Sequence, residues 1–476
     1  MSSFFTRPAS QRKRKREPAV GGAERRTRRE TRDDSISGSD SDSVAAAESA
    51  SSDSDRDDED AAAKRTRLAE RYLENTRREI LAEGFDAKDV DAELLAERMG
   101  ERLQEDSAES KGKLYRFLAA DCDYSAVTRW QFRADTLSLT GVAACPPYLY
   151  TTAKDKTLIK WDVSALGKPR QLVYVRGNGR RREPDYDRHT GAILCVAASE
   201  DGKFVATGGS DGRLIIWNAD LVPLRVFTQH RDAVVSLAFR RHTNQLFSAS
   251  RDRTIKLWSL DELAYVETLF GHQDEVVDVA ALNDEKCVTV GARDRTARYW
   301  RVVDETQLVF RAGAEGCIDR VAMIDEETFI TGSDNGTLAL WNVMKKKAVF
   351  TVAHAHGHDP PPEPALVSAE ADPEHDPSVS RLPQARWITA LTALPFSDFV
   401  VSASWDGVLR IWRVAADRRR IDAVGTLGPV RGVVNDLAVY EREGGLAVAA
   451  AVGKEHRLGR WTSVPNGRNH ALLFHI

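Results

Sequence analysis

The segment SASRDRTIKLW, residues 248–258, is matched 42 residues later by VGARDRTARYW, residues 290–300. In both segments an aspartate stands between two arginines, directly before a short apolar run that ends at a tryptophan. A polar turn followed by alternating and β-branched apolar residues is typical of two strands joined by a tight turn. The repetition predicts an architecture built from copies of one small unit.

The tryptophans that end such runs set the period of the repeat. They occur at positions 161, 217, 258, 300, 341, 412 and 461. The spacing of 41 or 42 residues in the middle of this series is that of a four-stranded propeller blade. Within one period, VVSLAF, QLFSA, TIKLW and AYVETL form four strand patterns. We therefore predict an all-β, seven-bladed propeller over residues 111–476, with loop insertions near 168–189 and 353–385.

The chain before residue 111 has a different composition. Residues 1–63 are basic and then acidic and serine-rich, with few large apolar side chains. Such a segment cannot bury a core, so we predict a disordered tail. Residues 64–110 have apolar side chains near helical spacing among charged ones, and this pattern predicts an amphipathic helical segment. The basic clusters in the tail are typical of nuclear import signals or nucleic-acid-binding arms.

The sequence contains no motif for catalysis, cofactor binding or membrane insertion. It has no phosphate-binding loop or HExxH segment, and no apolar run approaches the ~18 residues of a membrane helix. Its five cysteines are scattered without metal-binding spacing, as expected of free thiols in a reducing compartment. We predict a protein without enzymatic activity, cofactor, metal or membrane contact.

The repeats resemble the WD-repeat family, on the segments GGSDGRLIIWN, SASRDRTIKLWS, GARDRTARYWR and SASWDGVLRIWR and on GHQDEVVDV. The resemblance implies that a histidine, a hydroxyl residue, an aspartate and a tryptophan form one buried hydrogen-bond network in each blade. It assigns this structural role to His189, Thr207, Asp211 and Trp217, to His230, Ser248, Asp252 and Trp258, and to His272, Asp294 and Trp300. Val290 then replaces the hydroxyl residue in blade 4, and Asn335 and Glu455 replace the aspartate in blades 5 and 7.

The residues that flank these aspartates predict a binding surface. If the aspartate turns inward, its neighbours emerge on the face where the turns converge. Guanidinium groups in fixed positions suit phosphates and base edges, and an aromatic side chain among them suits an unstacked base. The predicted RNA contacts are Arg251, Arg253, Arg293 and Arg295, followed by His456 and Arg457, with Lys154 and Trp405 as weaker candidates.

A more specific resemblance covers residues 64–476. HRDAVVSLAFRRHTNQLFSASRDRTIKLW, YVETLFGHQDEVVDV and GKEHRLGRW are similar to segments of the WD-repeat family that binds U3 small nucleolar RNA (snoRNA) in the small-subunit processome. The resemblance implies a nuclear, nucleolar protein that recognises the box B/C element of U3 snoRNA and acts in pre-rRNA processing and 18S rRNA maturation. Its implied partners are a kink-turn-binding protein, other box C/D core proteins, and processome proteins bound through the 64–110 helices. The protein would be a monomer within this large ribonucleoprotein.

Three alternatives remain at this stage. A ubiquitin-ligase substrate receptor usually has Arg or Lys three residues after the blade tryptophan, and this signal is absent here. A histone-tail reader favours an acidic face rather than a basic one. A metal site could form in HAHGH from His354, His356 and His358, with His375, although a proline-rich loop provides no fixed geometry.

Overall fold

The computed structural model describes residues 114–124, 127–133, 135–165, 167–178, 186–311, 313, 316–360, 383–442, 445–461 and 463–476, together with residues 72, 74, 100, 102 and 103. The chain divides into two compact units, Met1–Glu83 and Gly84–Ile476. The predicted tail lies outside the described residues. The predicted helical segment is described at five positions only, and all five are helical. Among the described residues, no helix combines the length and the apolar character needed to cross a membrane.

The second unit contains a seven-bladed propeller, as predicted. Blade 1 consists of β2 (Leu139–Cys145), β3 (Tyr148–Ala153), β4 (Thr157–Asp162) and β5 (Arg170–Arg176). Blade 2 consists of β6 (Ile193–Ala198), β7 (Phe204–Gly209), β8 (Leu214–Asn218) and β9 (Pro223–Phe227). Blade 3 consists of β10 (Val234–Phe239), β11 (Gln245–Ser250), β12 (Thr254–Ser259) and β13 (Ala264–Phe270). Blade 4 consists of β14 (Val276–Ala281), β15 (Lys286–Gly291), β16 (Thr296–Arg301) and β17 (Thr306–Arg311). Blade 5 consists of β18 (Ile318–Met323), β19 (Thr328–Ser333), β20 (Leu338–Asn342) and β21 (Phe350–Val352). Blade 6 consists of β24 (Ala390–Ala393), β25 (Phe399–Ala403), β26 (Leu409–Val414) and β27 (Ile421–Leu427). A two-stranded hairpin, β22 (His358–Asp359) and β23 (Gln384–Ala385), lies between blades 5 and 6.

The last blade closes the ring. It combines β28 (Val433–Arg442), β29 (Gly445–Gly453) and β30 (His470–His475) with β1 (Thr128–Phe132) from the start of the propeller. β1 pairs antiparallel with β30, from Thr128 opposite His475 to Phe132 opposite Ala471. This pairing joins the two ends of the propeller through backbone hydrogen bonds and leaves no open seam between the first and last blades.

Packing between neighbouring blades explains the regular tryptophans. The indole of Trp258 in blade 3 is fully buried, with its ring centroid 4.4 Å from that of Phe227 in blade 2. Trp300 likewise packs with Phe247 and Ile255 of blade 3. Each large ring thus fills the space against the preceding blade, and burying such a side chain contributes roughly 1.5–3 kcal/mol.

The prediction that Trp461 closes the seventh blade is wrong. Phe474 of β30 occupies the equivalent strand position opposite Val448, and it packs with Leu409 and Ile411 of the preceding blade. Trp461 instead lies in a long connection between β29 and β30, residues 454–469, which is a third insertion. The sequence was misleading because this connection happens to contain a tryptophan at a blade-like distance from Trp412.

The two predicted insertions are shorter than expected. Residues 170–176 of the first form β5, the outer strand of blade 1, so the excursion begins at Gly177. In the second, residues 354–357 form a turn and the β22–β23 hairpin brings the chain back to blade 6. The segments 179–185 and 361–382 lie outside the described residues.

In blades 2, 3, 4 and 6 a buried hydrogen-bond network fixes the turn between the second and third strands. In blade 3, His230 Nδ1 is 2.9 Å from an Asp252 carboxylate oxygen, and His230 Nε2 is 2.7 Å from Ser248 Oγ. Trp258 Nε1 donates to Ser248 Oγ at 2.8 Å. The backbone N–H groups of Arg231 and Thr254 also donate to Asp252. The carboxylate is therefore tolerated in a buried position because several donors satisfy it.

The same network recurs in blades 2, 4 and 6, with two differences from the sequence prediction. In blade 2 it joins His189, Thr207, Asp211 and Trp217 as predicted. In blade 4 the hydroxyl is present, because Thr289 rather than position 290 bonds His272 and Trp300. The blade-4 turn is one residue longer than that of blade 3, and this shifted the alignment by one position.

In blade 6 the network uses a histidine that the sequence analysis assigned to a possible metal site. His356 is fully buried, 2.8 Å from both Asp406 Oδ2 and Ser402 Oγ, and Trp412 donates to the same hydroxyl. Since both ring nitrogens already have partners, His356 is not free to bind a metal ion. Histidine and aspartate are separated here by 50 residues rather than 22, which hid their relationship.

We expect His356→Ala to destabilise the propeller by about 1–3 kcal/mol, because Asp406 and Ser402 lose a buried partner. His358→Ala, an exposed change in the same motif, is the matched control and should change the free energy of unfolding by less than ~0.5 kcal/mol. Urea unfolding of the two variants measures the difference. Equal stabilities would contradict the structural role of His356.

We expect Asp252→Ala to lose about 1–3 kcal/mol and to weaken the dependence of stability on pH. Burial alone would raise the pKa of Asp252, but hydrogen bonds from His230 and Thr254 lower it overall. This lowered pKa makes a stabilising contribution that is present above the unfolded-state pKa of about 4 and is lost as pH falls below it. Melting curves from pH 7 to pH 3 should show a smaller decline for the variant. A variant that declines as steeply as the wild type would contradict this assignment.

Candidate nucleic-acid interface

The antiparallel order of each blade places two kinds of loop on one face. The turns between second and third strands and the connections between blades both emerge there, and we call this the upper face. The turns between first and second strands and those between third and fourth strands emerge on the lower face. Every flanking cation predicted from the aspartate turns therefore lies on the upper face or at its centre.

The residue after the aspartate position has a left-handed backbone. The φ angle is +71°, +73° and +89° at Gly212, Gly336 and Gly407, as expected for glycine. It is also positive at Lys156, Arg253 and Arg295, with values of +70°, +68° and +53°. A side chain in this conformation costs roughly 1–2 kcal/mol relative to glycine. Blades 1, 3 and 4 thus carry a cation where local backbone energetics favours glycine.

The four central arginines of the prediction lie close together on the upper face. Arg253 and Arg295 are exposed at the turns of blades 3 and 4. Arg251 and Arg293, which precede the aspartates, line the same cavity at the upper mouth of the channel. Arg293 is exposed, whereas Arg251 is half-buried with its Nε 3.1 Å from a Glu275 carboxylate oxygen. The structure brings the four together and leaves three of them facing solvent.

The rim of blades 3 and 4 adds two residues that the sequence analysis missed. Phe270 pairs with Thr254 at the end of β13 and is 71% exposed. Arg311 pairs with Thr296 at the equivalent position of β17 and is also exposed. Both residues end an outer strand, where a strand pattern gives no signal for function. Arg311 adds a further cation beside the turn of blade 4, and Phe270 adds an exposed aromatic ring beside the turn of blade 3.

Two predicted contacts are instead internal. Arg457 is only 4% exposed, and its guanidinium donates to the carbonyl oxygens of Val235 and Val277 inside the channel. Lys154 Nζ donates to the carbonyl of His456 at 2.6 Å and to the carboxylate of Glu455 at 3.1 Å. Lys154 and Arg457 hold the 454–469 connection in place, and these internal contacts occupy the two cations predicted to bind RNA.

Glu455 likewise does not replace the blade aspartate. Its carboxylate pairs with Lys154 and Arg460 rather than with a histidine. In blade 5, by contrast, Asn335 does stand in for the aspartate, since its Oδ1 accepts the backbone N–H of Thr337 at 3.1 Å.

His456 and Trp405 belong to an aromatic cluster centred on Trp387, which the sequence analysis did not consider. The ring centroid of Trp387 is 6.1 Å from that of Trp405, 6.4 Å from that of His456 and 6.3 Å from that of Trp461. Trp405 also donates its Nε1–H to Asp359 at 2.7 Å. One feature of the sequence could have indicated this cluster. Trp387 lies just before β24 and does not occupy the position at which a tryptophan ends a blade strand.

The lower face has cations of a different kind. Arg240 Nη1 is 2.7 Å from Glu285, and Arg241 Nη2 is 2.6 Å from Glu200. These ion pairs neutralise both arginines at the opposite mouth of the channel. The two mouths of the channel therefore differ: Arg293 lines the upper mouth and is exposed, whereas both arginines of the lower mouth are paired. The upper face is the candidate interface.

We expect Arg253→Gly to leave the free energy of unfolding unchanged or to raise it by up to ~1 kcal/mol, because glycine relieves the left-handed strain and loses some of this gain to unfolded-state entropy. Arg301→Gly, at an exposed strand end on the lower face, is the control and should be destabilising. Chemical denaturation measures both. A loss above ~1 kcal/mol for Arg253→Gly would contradict the strain argument.

Comparison with known proteins agrees with this architecture. The model of the WD domain, G-beta repeat, matches residues 182–218, 221–259, 264–301 and 378–413. The chain is 33% identical to Ribosomal RNA-processing protein 9 of Saccharomyces cerevisiae, over 86% of this chain and 88% of that protein. It is 35% identical to human U3 small nucleolar RNA-interacting protein 2, over 87% and 82%. The solved structure titled "Structure of U3-55K" superposes with a TM-score of 0.64 at 37% identity, over 73% of this chain and 98% of that one. The chain belongs to the WD-repeat family that includes Ribosomal RNA-processing protein 9 and U3 small nucleolar RNA-interacting protein 2.

Proposed function

We propose that this protein is a non-catalytic RNA-binding component of the U3 small nucleolar ribonucleoprotein. In this role it recognises the box B/C element of U3 snoRNA after a kink-turn-binding protein has shaped that RNA. It then acts in assembly of the small-subunit processome, pre-rRNA processing and 18S rRNA maturation in the nucleolus. The names of the relatives, and their similarity to this chain, support the assignment to the U3 particle. The charge of the upper face supports the RNA-binding role.

The observation that carries the proposal is the set of cations at the turns of blades 3 and 4. Arg253 and Arg295 persist in a backbone conformation that favours glycine, and Arg293 is exposed beside them. Phosphate contacts provide most of the affinity of a protein for RNA, and arginines held in fixed positions can also contact base edges. A buried carboxylate in each turn fixes the backbone from which these guanidinium groups extend.

The buried networks also support a role without catalysis. A Ser–His–Asp set superficially resembles a hydrolase triad, but Ser248 is fully buried and accepts a hydrogen bond from Trp258. No substrate carbonyl could reach its oxygen without opening the blade. The same set recurs in other blades, as a structural element does and a catalytic site does not.

The remaining partners follow from the same proposal. The 64–110 segment would tether the protein to neighbouring processome proteins, and the basic clusters of the tail would direct nuclear import. Other box C/D core proteins would complete the particle, in which this chain is a single copy. A WD-repeat scaffold that binds only proteins is the competing function, and it predicts no specific affinity for U3 RNA.

The test is a gel-shift titration on box B/C RNA bound to its kink-turn protein. We expect the triple variant Arg253→Ala, Arg293→Ala and Arg295→Ala to bind at least ~10-fold more weakly. Since each lost phosphate contact lowers the slope of log K against log salt by about 0.7–0.9, the slope should fall by about 2 to 3. Thermal stability should stay close to that of the wild type.

The matched control removes three exposed cations from the lower face, Arg301→Ala, Lys345→Ala and Lys346→Ala. It changes the net charge equally and should keep the wild-type affinity. Equal losses in the two variants would mean that net charge alone is measured. No loss in the upper-face variant would reject those residues, and no binding by the wild type would favour the protein scaffold.

A further inference from the structure

The upper mouth of the channel contains a cavity that the arginine contacts leave unexplained. Its volume is about 360 Å³, which lies within the ~300–1,000 Å³ range of small-ligand pockets. Trp387, Trp461 and His456 line one part of it, and Arg293 stands at another. The cavity thus combines aromatic faces with an exposed cation.

The aromatic part is held open toward solvent. Trp461 is 56% exposed, and its ring centroid is 5.2 Å from that of His456 at an interplanar angle of 38°. The indole also folds over Gly459, where an added Cβ would lie 1.8 Å from Trp461 Cζ3. Only glycine at 459 therefore allows this indole position. An exposed indole supported by a half-buried Trp387 provides a flat, preformed stacking surface.

The loop that carries this indole is anchored on several sides. Arg457 inserts into the channel and bonds the carbonyls of Val235 and Val277 in blades 3 and 4. Its backbone N–H donates to Asn435 Oδ1 at 2.8 Å. Lys154 binds the same loop from blade 1. These anchors fix the loop before any ligand arrives, which reduces the entropy lost on binding.

The electrostatics favour a neutral ligand group over a cation. Burial and the charges of Arg457 and Arg320 lower the pKa of His456 to about 3, so its ring is neutral. Burial and the carboxylate of Asp334 raise the pKa of Asp319, also in the cavity wall, to about 7. The wall also contains the carboxylates of Asp334 and of Glu275, which pairs with Arg251. Its four arginines, Arg251, Arg293, Arg320 and Arg457, outnumber its three carboxyl groups, so a cationic side chain is disfavoured relative to a neutral group. A neutral planar base would meet aromatic faces and hydrogen-bonding groups, with its phosphate near Arg293.

We propose that this cavity binds one unpaired nucleobase of the RNA, stacked on Trp461, with the adjoining phosphate at Arg293. The inference deepens the proposed function and rests on it. Unpaired bases are the usual targets of specific RNA recognition, and aromatic side chains are their usual stacking partners.

The experiment uses the full chain and the box B/C RNA bound to its kink-turn protein. Trp461→Ala should weaken binding about 5- to 150-fold, the range given by loss of one base–aromatic stack. The slope of log K against log salt should stay unchanged, because no phosphate contact is lost. Trp461→Phe should retain most of the affinity. Gly459→Ala should also weaken binding, because the added Cβ would displace the indole of Trp461 while leaving that side chain in the protein.

The control is Tyr174→Ala, which removes an exposed aromatic ring from the outer strand of blade 1 and should bind like the wild type. In a second readout, 2-aminopurine is placed at each unpaired RNA position in turn. One position should show fluorescence quenching by the wild type and no quenching by Trp461→Ala.

The outcomes separate the two levels of the proposal. If the wild type does not bind the RNA, the proposed function fails. If the wild type binds but Trp461→Ala matches Tyr174→Ala, or no 2-aminopurine position is quenched, the nucleobase site alone is overturned. Binding of arginine- or lysine-containing peptides that Trp461→Ala abolishes, with RNA binding unchanged, would overturn it in favour of a cationic protein ligand.

Discussion

The structure depends on a buried carboxylate in the turn between the second and third strands of a blade. In blade 3, Asp252 is tied to the loop leading into the blade through His230, and that histidine is tied to the blade core through Ser248 and Trp258. Because the carboxylate faces inward, the flanking arginines lie on the upper face, Arg253 in solvent and Arg251 at the mouth of the channel beside Glu275. One network therefore fixes the fold locally and sets the direction of the charges that the proposed function uses.

The centre of the ring depends on cations in another way. Arg320 donates to the carbonyls of Thr389 and Asn435, and Arg457 donates to those of Val235 and Val277. These two buried guanidinium groups join strands from different blades across the channel. Arginine suits this position because its planar, five-donor group can satisfy several carbonyl oxygens at once. As a result, the upper mouth has a fixed floor, and the connection after β29 is held above it with Trp461 exposed.

The sequence predicted the blades well because they repeat. A period of 41 or 42 residues and the alternation of apolar residues are local signals. The count of seven blades is correct, although one of the seven tryptophans that indicated it, Trp461, does not belong to a blade strand. The errors arose where the period is broken. A single extra residue in the blade-4 turn prevented the assignment of Thr289 as the network hydroxyl. An insertion between histidine and aspartate prevented the assignment of His356 to the blade-6 network. In the last blade the strand position held by tryptophan elsewhere is occupied by Phe474, which lacks the indole N–H. Trp461, in the connection before that strand, was therefore assigned to the position instead.

The candidate site was less predictable than the fold for a physical reason. Whether an arginine faces solvent or the channel depends on acceptors far away in the chain, and Arg457 bonds a carbonyl 222 residues distant. Charge patterns near the aspartate turns correctly placed Arg253, Arg293 and Arg295 on one face. They could not show that Lys154 is already used by the 454–469 connection, or that Trp387 joins Trp405 and Trp461 in one cluster.

Crosslinking the intact U3 particle in cells with ultraviolet light, followed by mass spectrometry of the RNA-linked peptides, tests the central claim most directly. The account predicts crosslinked residues on the upper face, within 251–253, 293–295 and 456–461 and at Trp387. Crosslinks confined to the lower face, around 239–241 and 344–347, would contradict it.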